Sequence, residues 1–217
     1  MTDQNFTAMR RAMVESQLRT NDVNDPVLLE AILSVPREAF LPEARRASAY
    51  IDRSVPLSGS RALNPPLATA RLLVEAGINP GDHVLLVGAA TGYAAALLAR
   101  LGCSVVALEE DADLLMQAKA ALADYAGITL VSGTLAKGHA KGAPYDTIIV
   151  DGAIEAMPDA LIQQLKVGGR AAFASAERGV TRLCLGVRSA GGFGARAFVD
   201  SEAAVLPGFA APKGFTF

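Results

Sequence analysis

The stretch VLLVGAATGY, Val84 to Tyr93, sets an apolar run against a turn of small residues, and the Ala-rich AAALLARLG follows. Gly88 ends the run and Gly92 lies in the turn, with Ala90 between them. About twenty residues further on stands Glu109, closing the apolar run SVVALE. At that spacing a carboxylate can meet the two hydroxyls of a ribose. A ligand crossing a sheet edge at this point needs close backbone approach, hence small residues. It also needs acceptors for a vicinal diol, hence an acid.

The order is G-x-A-x-G, and the position of the third glycine in the dinucleotide fingerprint G-x-G-x-x-G is Tyr93. A pyrophosphate cradle therefore fits poorly, and a loop of this kind followed by an acid fits S-adenosylmethionine better. The competing account is a tight strand–helix turn whose small residues serve packing alone, with Glu109 a solvated strand end. His83 and His139 are isolated near turns and receive no role. Cys103 and Cys184 lie far apart in apolar contexts, which points to buried thiols rather than a disulfide or a metal site.

The elements that must place these residues follow from the pattern of the chain. Its 217 residues suit one large domain, and 51% apolar residues supply a sizeable core. Net charge is -2 with signs interspersed, so no nucleic-acid partner is implied. The N-terminus has no apolar signal core and no run is long enough to span a bilayer, so the expected location is the cytoplasm. Residues 6–19 read as an amphipathic helix, and DPVLLEAILSVP as a second, capped by Asp25 with Pro26 at its first position. The segment from Arg37 to Pro66 is rich in turn signals and reads as short helices and irregular loop; it is long for a structureless connection, and such segments are often functional.

After Pro66 short apolar strands alternate with helices: HVLLVG, YAAALLARLG, SVVALEE, ADLLMQAKAALADYAG, ITLVSG, YDTIIVDGA, MPDALIQQL and GGRAAFAS. This predicts an α/β fold with a doubly wound, mostly parallel sheet buried on both faces. TRLCLGVRS and ARAFVDSEAAVL around AGGFG predict an antiparallel hairpin on the sheet edge. The expected organisation is a single structural domain: residues 1–66 as an N-terminal helical extension with a loop, and 67–217 as the Rossmann-like core. Phe209, Phe215 and Phe217 suggest a docked tail.

With these segments placed, the chain resembles the protein-L-isoaspartate (D-aspartate) O-methyltransferase family over nearly its whole length. The carrying motifs are MVESQLR, DPVLLEAILSVPREAFLP and AYIDRSVPL near the N-terminus, then PGDHVLLVGAATGYAAALLARL, VVALEED, APYDTIIVDGA and ALIQQLKVGGR. The resemblance implies a class I S-adenosylmethionine methyltransferase that methylates the α-carboxyl of isoaspartyl residues in flexible segments of damaged proteins. S-adenosylhomocysteine would be the product. It implies cofactor contacts at Gly88, Ala90, Gly92, Glu109, Thr134 and Asp151, and an acceptor contact at Asn64.

Departures from the family pattern cluster at these positions. The methyl-acceptor loop GxTISQP is here SRALNPP, Ser60 to Pro66, so Asn64 stands near where a serine hydrogen-bonds the accepting carboxyl, and its amide either takes over that contact or only shapes an Asn-Pro turn. The acid before the first loop glycine is Leu86, the middle glycine is Ala90, and the aspartate after the third strand is Thr134. Ala90 is tolerable at negative φ and costly otherwise. Asp151 takes a position that is commonly small or hydroxylated. It would repel a carboxylate acceptor, hold a cationic one, or cap the next turn through Gly152, and the cap is the expectation. Two other function classes remain open from the residues: a catalytically divergent scaffold that binds a nucleoside or protein partner or methylates another acceptor, and, more distantly, a nicotinamide oxidoreductase. The oligomeric state is not fixed by the sequence.

Overall fold

In a computed structural model of the protein, which describes residues 5–210, seven strands form one sheet in the order β5-β4-β3-β6-β7-β8-β9. They are β3 (His83–Val87), β4 (Ser104–Glu109), β5 (Ile128–Ser132), β6 (Tyr145–Ile154), β7 (Leu165–Glu177), β8 (Val180–Ser189) and β9 (Gly192–Asp200). The first five in that order pair in parallel, and β8 and β9 add antiparallel. The chain runs outward from β3 through β4 to β5, then returns to lay β6 on the other side of β3. That reversal opens a crevice at the carboxyl ends of β3 and β6.

The sheet is covered on both faces, which is why its central strands are apolar at every position. Val84 and Leu86 face one core, and Leu85 and Val87 the other. Leu86, at the position of the missing acid, is fully buried in the first core. β5 departs from the expected pattern: as the outer strand it is half exposed. Among the described residues no helix is long and apolar enough to cross a membrane.

The N-terminal segment packs on the sheet and shares its first core. α1 (Phe6–Met13) widens into a π turn over Val14–Leu18 and ends in a 3-10 turn, while α2 (Pro26–Ser34) starts where Asp25 Oδ1 accepts from the Leu28 amide at 2.8 Å. Met13, Leu18, Leu28 and Ile32 bury against this face together with Leu72 and Leu73 of α3 (Pro66–Ala76). Between α2 and α3 run two 3-10 turns and a small antiparallel ladder, β1 (Val55–Pro56) with β2 (Ala62–Leu63). This ladder carries the loop Ser58–Asn64 back over the crevice.

Three expectations change. The helix expected over MPDALIQQL is one turn, α6 (Asp159–Ile162), and α5 (Ala112–Ala121) stops before ADYAG. The second hairpin strand ends at Asp200 rather than running on through Leu206. Residues 204–206 instead cross back to β6: Ala153 N donates to Ala204 O at 2.7 Å, and Leu206 N donates to Ala153 O at 2.9 Å. Phe209 is buried in the second core, while Phe215 and Phe217 lie outside the described residues. Both cysteines are buried free thiols, and burial pushes Cys103 up to about 12.

Candidate active site at the switch point

The loop after β3 is a tight turn with left-handed backbone at three positions. Gly88 and Gly92 have φ of 78° and 100°, a region that favours glycine. A Cβ on Gly92 would lie 2.7 Å from Leu122 Cδ1, so space as well as φ requires glycine there. The amides of Gly88 and Ala89 both donate to Leu108 O, and Thr91 Oγ1 donates to Phe40 O at 2.7 Å, which ties the loop to the N-terminal segment. Gly92 then opens α4 (Tyr93–Arg100). Ala90 is left-handed at φ 49°, the costly alternative for a residue with a Cβ.

Glu109 ends β4 beside this loop and is fully buried. Its Oε2 accepts from the Ala90 amide at 2.7 Å, and Oε1 accepts from the amides of Glu110 and Asp111, each at 3.0 Å. The guanidinium of Arg61 forks across both oxygens, Nη1 to Oε1 at 2.5 Å and Nη2 to Oε2 at 2.9 Å. Arg61 is itself 6% exposed. A buried carboxylate needs such compensation, because burial alone penalises its charge severely.

Asp151 lies at the other edge of the crevice, where the β6–β7 register breaks between Ile149 and Ala153. The expected turn cap does not form, because β6 continues through Gly152 to Ile154. Instead, Asp151 Oδ1 accepts from Asn64 Nδ2 at 2.8 Å, and Asn64 Oδ1 accepts from the Ala204 amide at 2.8 Å. Burial raises the Asp151 pKa above the ordinary carboxylate value. The Asn64 hydrogen bond and the charges of Arg37 and Arg61 offset this only partly, and Glu109 adds to it.

Arg37 sets the other side of the Asn64 loop. It is fully buried, donates Nε to Ala49 O at 2.7 Å and Nη2 to Asn64 O at 2.5 Å, and stacks 4.7 Å over the Tyr93 ring. Thr134, by contrast, is exposed at the end of β5 and outside this cluster of bonds. His83 stacks on Tyr145 at 4.8 Å and bonds Gly142 O through Nε2, a packing role.

The structure thus brings Gly88, Ala90, Gly92 and Glu109 together, with Asn64 bonded to Asp151 at the crevice's other edge. Sequence reasoning missed Arg37, Arg61 and Leu206. For Arg61 a signal existed: it is the lone charge in SVPLSGSRALNPP.

The sequence profile described as protein-L-isoaspartate(D-aspartate) O-methyltransferase matches residues 8–182. The protein-L-isoaspartate O-methyltransferase of Methylorubrum extorquens (strain PA1) is 43% identical over 164 residues, 74% of this chain and 71% of that protein. That of Marinobacter nauticus (strain ATCC 700491 / DSM 11845 / VT8), numbered 2 there, is 40% identical over 77% of each chain. A solved protein-L-isoaspartate O-methyltransferase superposes with a TM-score of 0.80 over 94% of this chain and 66% of its own, at 22% identity. A Plasmodium falciparum beta-aspartate methyltransferase in complex with S-adenosyl-L-homocysteine superposes with 0.78 over 94% and 99%, at 18% identity. At those identities the superpositions speak for the fold, and the sequence matches speak for the family. The chain belongs to the protein-L-isoaspartate(D-aspartate) O-methyltransferase family.

Proposed function

We propose that this chain is an S-adenosylmethionine-dependent O-methyltransferase acting on isoaspartyl carboxyls in flexible segments of damaged cytoplasmic proteins. The observation that carries the reading is the family match over residues 8–182, which spans the loop bearing Asn64, the turn bearing Gly88 and the strands bearing Glu109 and Asp151. It favours this reading over a scaffold without activity and over a nicotinamide oxidoreductase.

The cofactor supplies the methyl group when bound. Its fit to the residues present is divided. The left-handed Gly88–Gly92 turn and the Glu109 carboxylate suit a nucleoside in shape and chemistry, and we assign Gly88, Ala90, Gly92 and Glu109 to it, with Thr134 and Asp151 at its margins. The space does not suit it in this conformation. Arg61 takes both Glu109 oxygens, and Leu206 lies against Gly88 and Gly152. A cavity of about 600 Å³, lined by Leu115, Met116, Tyr125 and Leu130 among others, includes none of Gly88, Glu109 and Asp151.

The acceptor side follows from the chain's own groups. A carboxylate acceptor is ionised at neutral pH and needs no general base, so the protein's work is placement and exclusion of water. Asn64 is 2% exposed, its carbonyl is held by Arg37, and its Nδ2 carries two hydrogens, of which one goes to Asp151. The second hydrogen is the donor we assign to the acceptor carboxyl. The Asn64 amide is thus shared between Asp151 and the acceptor carboxyl. The test is transfer of radiolabelled methyl from S-adenosylmethionine to an isoaspartyl peptide, with the aspartyl peptide as control. Equal labelling of the two, or none, overturns the reading.

A further inference from the structure

We propose that the cofactor cleft of this protein is closed by its own chain, with Arg61 and Leu206 forming a plug that a nucleoside must displace. The proposal rests on the methyltransferase reading above. Three sets of contacts carry it. Arg61 covers the carboxylate assigned to the ribose, meeting both oxygens at 2.5 and 2.9 Å. A diol on Glu109 and this guanidinium compete for the same lone pairs, since each oxygen already accepts from backbone amides as well.

Leu206 fills the space above the small residues. A Cβ on Gly88 would lie 3.0 Å from Leu206 Cδ1 and 3.6 Å from Arg61 Nη2, and a Cβ on Gly152 would lie 2.5 Å from Leu206 Cγ. The room that two glycines leave for a ligand is thus taken up by side chains of the protein. Leu206 is 5% exposed and belongs to the second core.

The plug is held in place by polar bonds. β3 turns away after Val87, which leaves the edge of β6 beyond Val150 unpaired on that side. Residues 204–206 take that edge through the two Ala153 bonds, forming a parallel bridge. Asn64 joins the two halves, accepting from the Ala204 amide while donating to Asp151. Asn64 follows Arg61 by three residues in one loop, so one movement of Ser58–Asn64 can release Glu109, Asp151 and the segment 204–206 together. Binding of the nucleoside and seating of the plug then exclude each other, and cofactor affinity is reduced by the fraction of molecules that are closed.

Calorimetry with S-adenosylhomocysteine on the full chain tests this, using the wild type, Arg61→Gln and Leu206→Ala, with a thermal melt confirming each fold. Leu206→Ala guards against a fold weakened by loss of the Arg61 charge. Each variant is expected to bind at least tenfold more tightly than the wild type. In wild-type protein, saturating S-adenosylhomocysteine is expected to speed hydrogen exchange at the amides of Ala204 and Leu206, which the closed form protects. Wild-type affinity within twofold of both variants, with those amides still protected, overturns the plug. Absence of binding by all three proteins also overturns it as the barrier. Methyl transfer to an isoaspartyl peptide separates this from the function: tightened binding without transfer leaves the plug standing and removes the acceptor assignment. Transfer with unchanged affinity does the reverse.

Discussion

Glu109 and Asp151 lie on the two strands that flank β3, Glu109 at the end of β4 and Asp151 within β6, and both are buried, yet the protein compensates them differently. Glu109 receives a guanidinium fork and three backbone amides. Asp151 receives the neutral amide of Asn64, with Arg37 and Arg61 acting through space. Both capping side chains come from the single loop Ser58–Asn64. Burial raises the pKa of Asp151. A guanidinium offers a buried carboxylate an opposite charge, whereas a neutral amide offers only a hydrogen bond, so desolvation is offset less completely at Asp151.

The largest effect is expected where the charge compensation is complete. Arg61→Met leaves Glu109 buried with amides but no opposite charge, and breaking a buried pair from one side costs about 3–5 kcal/mol. Urea unfolding at pH 7 reads this, and adding Glu109→Gln to the variant should recover most of the loss. A cost below about 1 kcal/mol would mean that Glu109 is solvated, and the contrast with Asp151 would disappear.

Next comes Asn64→Ala, which strands Asp151 Oδ1 and the Ala204 amide at once. Loss of about 1–3 kcal/mol is expected, below that of Arg61→Met. The same variant should lower methyl transfer to an isoaspartyl peptide. A variant as stable and as active as wild type would show that water replaces the amide, and would remove Asn64 from the acceptor site.

How much of this was legible in the sequence depends on how local the determining interactions are. The strands of the sheet were readable because residues such as Val84 to Val87 must be apolar on both faces, and Asp25 with Pro26 announced α2 within a few residues. The Gly88–Gly92 turn and Glu109 were placed correctly beside each other. What failed was non-local. Arg61 and Glu109 are 48 positions apart, and Asn64 and Ala204 are 140 apart. Nothing in SEAAVL distinguishes a continuing hairpin strand from a segment that crosses to β6, because the vacant edge after Val150 exists only in the assembled sheet. Asp151 was expected to cap a turn because DGA resembles one, and the strand continues instead.

The third prediction uses the raised pKa of Asp151. A carboxylate whose folded pKa lies above its unfolded value binds more protons when folded. Its contribution to stability is present at low pH and is lost as pH rises from the ordinary value of 3.8 towards the folded one. Wild type should therefore lose stability relative to Asp151→Asn across that window, by at most about 1.4 kcal/mol for each pH unit. Parallel stability curves for the two proteins would show Asp151 to be as well compensated as its neighbour, and the comparison would fail.

The smallest effect sharpens the comparison from the opposite end of the sheet. Asp146, at the start of β6, is partly exposed and meets Lys166 Nζ at 2.6 Å. Burial alone would raise its pKa. The Lys166 ammonium and the His83 amide outweigh that and hold it below 3.8. The sign is then opposite to that of Asp151: the stabilisation is present above pH 3.8 and is lost as pH falls through the lower folded value. With Lys166 46% exposed, solvent and salt screen the pair, and Lys166→Met should cost only about 0.2–1 kcal/mol. That cost should fade in concentrated salt, whereas the cost of Arg61→Met should persist, because the Arg61 pair is out of reach of counterions. Unfolding of both variants at low and high salt reads the difference. If the two costs fade together, then burial is not what separates the Arg61–Glu109 pair from an ordinary ion pair on the surface.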